Sequence, residues 1–480
     1  MNKETIIPKP SLWLVMLTTA MAGGMGWGIR GQYGHETGAM IAGLLVSLVL
    51  VFLFCPGNSS IHVVRAAALG TIAMGFGGSM TYGQTIGLTH DGPLIGNWEA
   101  FRWGMLGLAI KGSIWIGFAG LFLGIGLGGK RYQPFEMFLL ILGMLLAVVI
   151  GWWLLNTPHD PTNKQLPFLY FSDHWKWEPD TTKHRPEIWG GLLFALLSGI
   201  IYADRKKHDS LARNLALWGM LGGALGFPLG QAIQATNAWY PDFFRESFVG
   251  GLTQYFNWWN IMETTFGTVM GAVLGLGLWI NRRRIAVSAE PDVSPLPNCL
   301  IIILLIVHVS LLGLVEFSKL DWIDGIYDLG LMIGLIPLVL CVRGRWWPYL
   351  QLLPITLLPI AGKTLRALAD PANQSLNWLT YLILPILVST TIAIWFARQA
   401  KPSGEHPLFI RSTLLFSVWI YHGLNFAFFS FPWPWEAWGG RTPNATIFFI
   451  CMVGLSALAL FYNPIEQRWQ RNLWRCNRED

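Results

Sequence analysis

The stretch MAGGMGWGIRGQYGHETGAMIAG, residues 21–43, sets eight glycines together with Arg30, Gln32, His35 and Glu36 between two apolar runs. Charged groups that deep in an apolar hairpin are costly unless protein or a water-filled cavity surrounds them. The stretch therefore reads as a polar turn enclosed by protein. Its ingredients recur, a Gly-Gln pair closing one apolar run and a Glu opening the next. Gly31-Gln32 is followed by Glu36, Gly83-Gln84 by Glu99, and Gly230-Gln231 by Glu263, while a fourth hairpin carries Glu187 without Gly-Gln. This pattern predicts an internal repeat of helical hairpins.

Composition sets the class around that turn. Of 480 residues, 53% are hydrophobic and only 12% charged, with a mean hydropathy of +0.45. Such a chain falls outside the usage of soluble domains and predicts an all-α polytopic membrane protein. Runs of about 20 apolar residues are long enough to span a bilayer. They fall at 11–29, 36–55, 62–83, 100–127, 135–155, 188–203, 211–231, 261–280, 298–316, 324–342, 348–365, 379–398, 409–430 and 445–462, giving about fourteen helices. The first run, with Ala20-Met21-Ala22 behind it, has the outline of a signal peptide. Its apolar character continues past Ala22, and the repeat needs it as a first arm, so it reads as a retained helix.

The formal charge of +6 does not point to nucleic acid, because Lys and Arg sit in short clusters between apolar runs. These are Lys3 and Lys9, Lys130-Arg131, Arg205-Lys206-Lys207, Arg282-Arg283-Arg284, Arg343 and Arg345, Arg398 and Lys401, and Arg468, Arg471 and Arg475. All fall after even-numbered runs or at a terminus. The positive-inside rule then predicts a bacterial-type plasma membrane protein with both termini cytoplasmic. The polar turns Arg30–Glu36, Thr85–Trp98, Asn156–Pro186 and Gln234–Asn260 face outward. VSAEPDVSPLPN, residues 287–298, reads as a linker. The expected organisation is an eight-helix glycine-rich module at 1–286, a cytoplasmic linker at 287–297, a six-helix module at 298–463 and a basic tail at 464–480.

Small residues recur at helical spacing behind the glutamates: Glu36, Ala39, Gly43; Glu187, Gly190 or Gly191, Ser198; Glu263, Gly267, Gly271, Gly275. Such stripes let membrane helices approach closely, so these glutamates are expected to face the bundle interior. Each also suits a first helical turn, where the dipole favours an acid. Asn260-x-x-Glu263 has the form of a capping box and Asn97 that of a cap before Glu99. In the Glu99 helix the stripe is Ala100, Gly104, Gly107 and Lys111, which puts Lys111 near the midplane on a protein-facing side. A lysine there needs a partner, and Glu36 and Glu263 are the candidates.

His-acid neighbours occur at His35-Glu36, His90-Asp91, His159-Asp160 and Asp173-His174, but adjacent residues seldom ligate one ion and no HExxH spacing exists, so no metal is expected. Five cysteines lack CxxC spacing, and Walker, Rossmann, haem and iron–sulfur signatures are absent. No cofactor is expected. His308, and His422 with Asn425 one turn apart, are the polar positions of note in the second module.

These features lead to a permease for a small polar or charged solute, bound in an outward vestibule by Arg30, Gln32, His35, Glu36, Gln84, Glu99, Lys111, Gln231 and Glu263. The alternative is a membrane-embedded enzyme with an extracytoplasmic site for glycosyl or acyl transfer or hydrolysis on a lipid-linked substrate. It rests on FLYFSDHWKWE, residues 168–178, whose aromatic rings could stack on sugar. A non-catalytic scaffold would need no polar cluster in its core. Expected partners are membrane lipids and a small solute or lipid-linked substrate, with oligomerisation open.

Overall fold

A computed structural model describes residues 10–30, 37–56, 58–78, 80, 82–172, 174, 176–177, 184–286, 297–318, 320, 322–323, 357–358, 360–362, 364–365, 371–399, 407–429 and 442–463. Every regular element among them is helical. In chain order these are α1 (Leu12–Arg30), α2 (Thr37–Phe54), α3 (Ser60–Gly77), α4 (Gly83–His90), α5 (Trp98–Leu127), α6 (Pro134–Leu155), α7 (Trp189–Ile201), α8 (Ser210–Trp239), α9 (Pro241–Arg245), α10 (Trp258–Asn281), α11 (Asn298–Phe317), α12 (Gln374–Trp378), α13 (Leu384–Gln399), α14 (Pro407–Phe429) and α15 (Thr442–Phe461).

Eight helical segments among the described residues are long and apolar enough to cross a membrane. The chain is thus a multi-pass helical membrane protein. Helices also lie over the expected runs 36–55 and 188–203, and over 62–77 of the run 62–83. The run 324–342 lies outside the described residues, as do the basic residues at 343, 345, 401 and 468–475.

Side-chain caps set several helix starts. Asn97 accepts from the amides of Glu99 and Ala100 before α5, Asp209 from Ala212 before α8, and Asn257 from Asn260 before α10. The cap of α10 is therefore Asn257, three residues ahead of the expected Asn260, which frees the Asn260 side chain for another use.

Six helices close a ring in the order α1, α2, α3, α5, α8, α10 and back to α1, with α6 and α7 paired outside α5. Glycine makes the closest seams possible. A methyl group on Gly23 would overlap the Gly267 carbonyl, one on Gly271 the Thr19 carbonyl, and one on Gly112 the Gly223 carbonyl. Without a hydrophobic drive inside lipid, backbone approach of this kind supplies the packing. α15 lies against α1, its Phe448 ring meeting Gly28, and Asn444 exchanges two hydrogen bonds with the Asn257 backbone.

One end of the bundle gathers the basic turns. The Ala286 amide donates to the Leu127 carbonyl at 2.9 Å, Lys207 reaches Glu136 at 2.8 Å, and Tyr132 donates to Asp209 at 3.2 Å. The turns after α5, α7 and α10 therefore meet, bringing Lys130-Arg131, Arg205–Lys207 and Arg282–Arg284 to one end.

α3 and α4 follow one course along α5, with an interruption between them. Along α5, Ala66 lies against Gly126, Gly70 against Leu123, Gly77 against Trp115, Thr85 against Gly107 and Thr89 against Gly104. The order runs steadily, so α4 continues the course of α3. Gly78, Met80 and Tyr82, between the two helices, are buried and outside both. The outward turn expected to begin at Thr85 instead starts as a buried helix, Thr85 through Thr89 being enclosed.

Candidate functional site

Two buried ion pairs flank the interruption between α3 and α4. The first joins α1 to α10. Arg30 Nη2 lies 3.1 Å from Glu263 Oε1 and also donates to the Tyr82 hydroxyl, which reaches the same carboxylate oxygen at 3.3 Å. The guanidinium sits 5.2 Å from the ring centroids of Trp27 and Tyr82 and 5.5 Å from that of Trp115. Asn260 Nδ2 bridges Glu263 Oε2, at 3.3 Å, to the Gly28 carbonyl, at 3.2 Å. The expected capping role of Asn260 is thus replaced by a direct hold on the glutamate.

The second pair joins α5 to the segment before α7. Lys111 Nζ is 2.8 Å from Glu187 Oε1, donates to Thr85 Oγ1 at 2.8 Å, and lies 3.4 Å from Ser172 Oγ. Glu187 also accepts from Ser172 Oγ at 2.8 Å, the Phe171 amide at 3.0 Å and Trp189 Nε1 at 3.3 Å. Its carboxylate is fully used. The expected partners of Lys111 are corrected here: Glu263 serves Arg30, and Glu36 lies outside the described residues with Gln32 and His35.

Helix rise gives the height of the buried polar groups. From the basic end, Lys111 is 16 residues from Leu127, Arg30 is 18 from Leu12, Glu263 is 18 from Asn281 and Gln231 is 21 from Ser210. At 1.5 Å per residue these are heights of about 24 to 32 Å. Lys111 lies near the middle of the 30-residue α5.

The remaining sequence candidates separate. Gln84 opens α4 and, with its amide oriented to accept, takes the Arg185 guanidinium at 3.0 and 2.9 Å. Gln231 lies inside α8 rather than beyond its end and donates to Thr89 Oγ1 at 2.7 Å. Glu99 is on the surface, its side chain 66% exposed, where it pairs with Lys176. The expected placing of Glu99 away from the glutamate stripe agrees with that exposure. Gln84, Lys111, Arg30 and Glu263 are linked through α4 and its leading Tyr82; Glu99 is not.

Just past the end of α4, His174 Nε2 is 2.9 Å from Asp91 Oδ2, with His90 3.7 Å from the other oxygen of Asp91. Among the described residues no three His, Cys, Asp or Glu side chains converge in a way that would hold a metal. Asp173 and Glu178 lie outside them. Tyr82, Thr85, Ser172 and Arg185 take part in the clusters but were not among the expected site residues, although Tyr82 and Thr85 flank Gly83-Gln84 and Ser172 lies within the stretch 168–178.

Fold and clusters together define a class: a multi-pass helical membrane protein with an interrupted helix set between two buried ion pairs. Within that class no particular relative emerges, since no protein-family model, curated protein or solved structure matches the chain.

Proposed function

We propose that the protein is a permease for a small polar or charged solute, working in a bacterial-type plasma membrane with both termini in the cytoplasm. The observation that carries the reading is the break between α3 and α4, buried between Arg30–Glu263 and Lys111–Glu187. Non-helical backbone at membrane depth is tolerated where protein or a water-filled cavity surrounds it, and in transporters such breaks form the solute site. Tyr82, Gln84 and Thr85 each contact a cationic side chain, so movement of α4 would alter both ion pairs together. In this reading Arg30, Gln84, Lys111, Gln231 and Glu263 line or control the path, with Gln32, His35 and Glu36 at its outer mouth. Glu99 draws solute at the surface.

The proposed topology counts fourteen crossings arranged as hairpins. The basic turns gathered at one end support it, since that end becomes the cytoplasmic face.

An enzyme with an extracytoplasmic site is the second reading, favoured by the Asp91–His174 hydrogen bond beside the Lys176, Trp103 and Trp177 group. Reconstitution into liposomes with a panel of amines, amino acids, sugars and ions tests the permease. Uptake lost in Glu263→Gln but kept in His174→Asn supports it. Solute-independent turnover of a lipid-linked substrate that needs His174 overturns it.

A further inference from the structure

We propose that the junction of α4, α8 and α10 binds a small cation that donates N–H hydrogen bonds, an ammonium ion or a protonated primary amine. The proposal rests on the permease reading and names its solute class.

The argument starts at one hydroxyl proton. Thr89 Oγ1 donates to the Ile86 carbonyl at 2.7 Å. Its single proton is spent there, so it can only accept from Gln231, whose Nε2 lies 2.7 Å away. That fixes the amide: nitrogen toward Thr89, oxygen away. Gln231 is fully buried, and its Oε1 takes no hydrogen bond. Leaving a buried carbonyl unsatisfied costs about 1–3 kcal/mol, so the position calls for a donor.

A second such oxygen lies one turn further along α8. Gln234 is 3% exposed, and its Oε1 is likewise without a hydrogen bond. The packing register places it. Gly226 lies against Phe266 and Gly230 against Met262, so each turn of α8 passes one turn of α10. Gln234, four residues beyond Gly230, comes opposite the first turn of α10 at Trp258. The neighbouring Trp259 packs its ring 5.7 Å from that of His90 at the end of α4, which brings α4 to the same junction.

The chemistry of the lining selects the ligand. Two donors beside these oxygens are committed elsewhere, Trp239 Nε1 to the Thr89 carbonyl at 2.8 Å and Gln231 Nε2 to Thr89 Oγ1. Two amide oxygens remain as acceptors. Two buried carbonyl oxygens without hydrogen bonds favour a ligand that donates, and so a cation carrying N–H groups over an anion. Gln231 lies 21 residues along α8 from Ser210, so in the proposed topology it is at the end of the bundle that a solute from outside would reach first.

The test is thermal unfolding of the purified full-length protein with methylammonium, tetramethylammonium or sodium chloride at matched concentration. Methylammonium should raise the wild-type melting temperature by about 2–4 °C, while tetramethylammonium and sodium should not. Gln231→Leu and, separately, Gln234→Leu should lose the rise, so one misfolded variant does not remove the test. An equal rise with tetramethylammonium would overturn the proposal, since that ion has no N–H to donate. No rise with methylammonium in the folded wild type would also overturn it and leave water on Gln231. Uptake of another solute with no methylammonium effect would sink this site and keep the permease. Methylammonium binding without uptake of any solute would keep the site and sink the permease.

Discussion

Lys111 and Glu187 meet at 2.8 Å with both side chains 1% exposed, across 76 residues of chain. A buried pair of this kind is not by itself stabilising, because two charges must leave water; breaking it strands the survivor. Lys111→Met and Glu187→Gln are each expected to cost about 3–5 kcal/mol. The double variant should cost much less than the sum. Chemical unfolding in detergent gives the cycle, and single-variant losses below about 1 kcal/mol, the level of an exposed pair, would show the pair to be solvated.

Arg30 should not tolerate lysine. Its planar guanidinium faces the rings of Trp27, Tyr82 and Trp115 while bonding Tyr82 and Glu263, a combination that a compact ammonium cannot reproduce. Arg30→Lys is expected to lose about 2 kcal/mol, the scale of a desolvated cation–π contact. Tryptophan emission should shift as Trp27 and Trp115 lose the guanidinium over their rings. Unchanged emission and stability would remove the ring contacts as a cause.

Glycines should divide by what surrounds them. Gly267→Ala puts a methyl group into the Gly23 carbonyl and the Trp27 side chain, so α1 and α10 must part. Overpacking of this sort costs about 1–3 kcal/mol. Gly143→Ala in α6 meets nothing within 4 Å, and alanine's better helix propensity should make it neutral or stabilising by up to about 1 kcal/mol. Melting temperatures of the two variants check the contrast.

Asp209, at the basic end outside the spans, has its carboxyl pushed up from 3.8, chiefly by burial; the Ala212 amide and the Tyr132 hydroxyl pull the other way. A raised folded-state pKa means the stability linked to this group is complete below the unfolded value and is lost as pH rises through the folded value. Wild-type stability should therefore fall as pH climbs from the ordinary carboxylate range. Asp209→Asn keeps an N-cap oxygen and should flatten that slope. Parallel unfolding curves of the two proteins across the same pH range would contradict it.

Much of the architecture follows from local composition. Apolar runs interrupted by basic clusters specify helices and bring their basic ends together. Small-residue spacing correctly placed Lys111 on a protein-facing side, since Ala100, Gly104, Gly107 and Lys111 are all buried. The same spacing turned Glu187 and Glu263 inward. Asn97 was legible as a cap because capping is decided within four residues.

Pairing was not legible. Arg30 and Glu263 are 233 residues apart, and nothing local distinguishes Glu187 from Glu263 as the partner of Lys111. That choice depends on which helices the glycine seams bring into contact and on how far α5 extends. Likewise the Gly-Gln pairs look equivalent as dipeptides, yet Gln84 opens a short helix and Gln231 lies within a long one. The sequence by itself determined helices, their buried faces and the gathering of charge at one end, because periodicity and composition act over one or two turns. Only the tertiary structure decided which charges meet and where α3 breaks, because a buried ion is satisfied by whichever partner packing carries within reach.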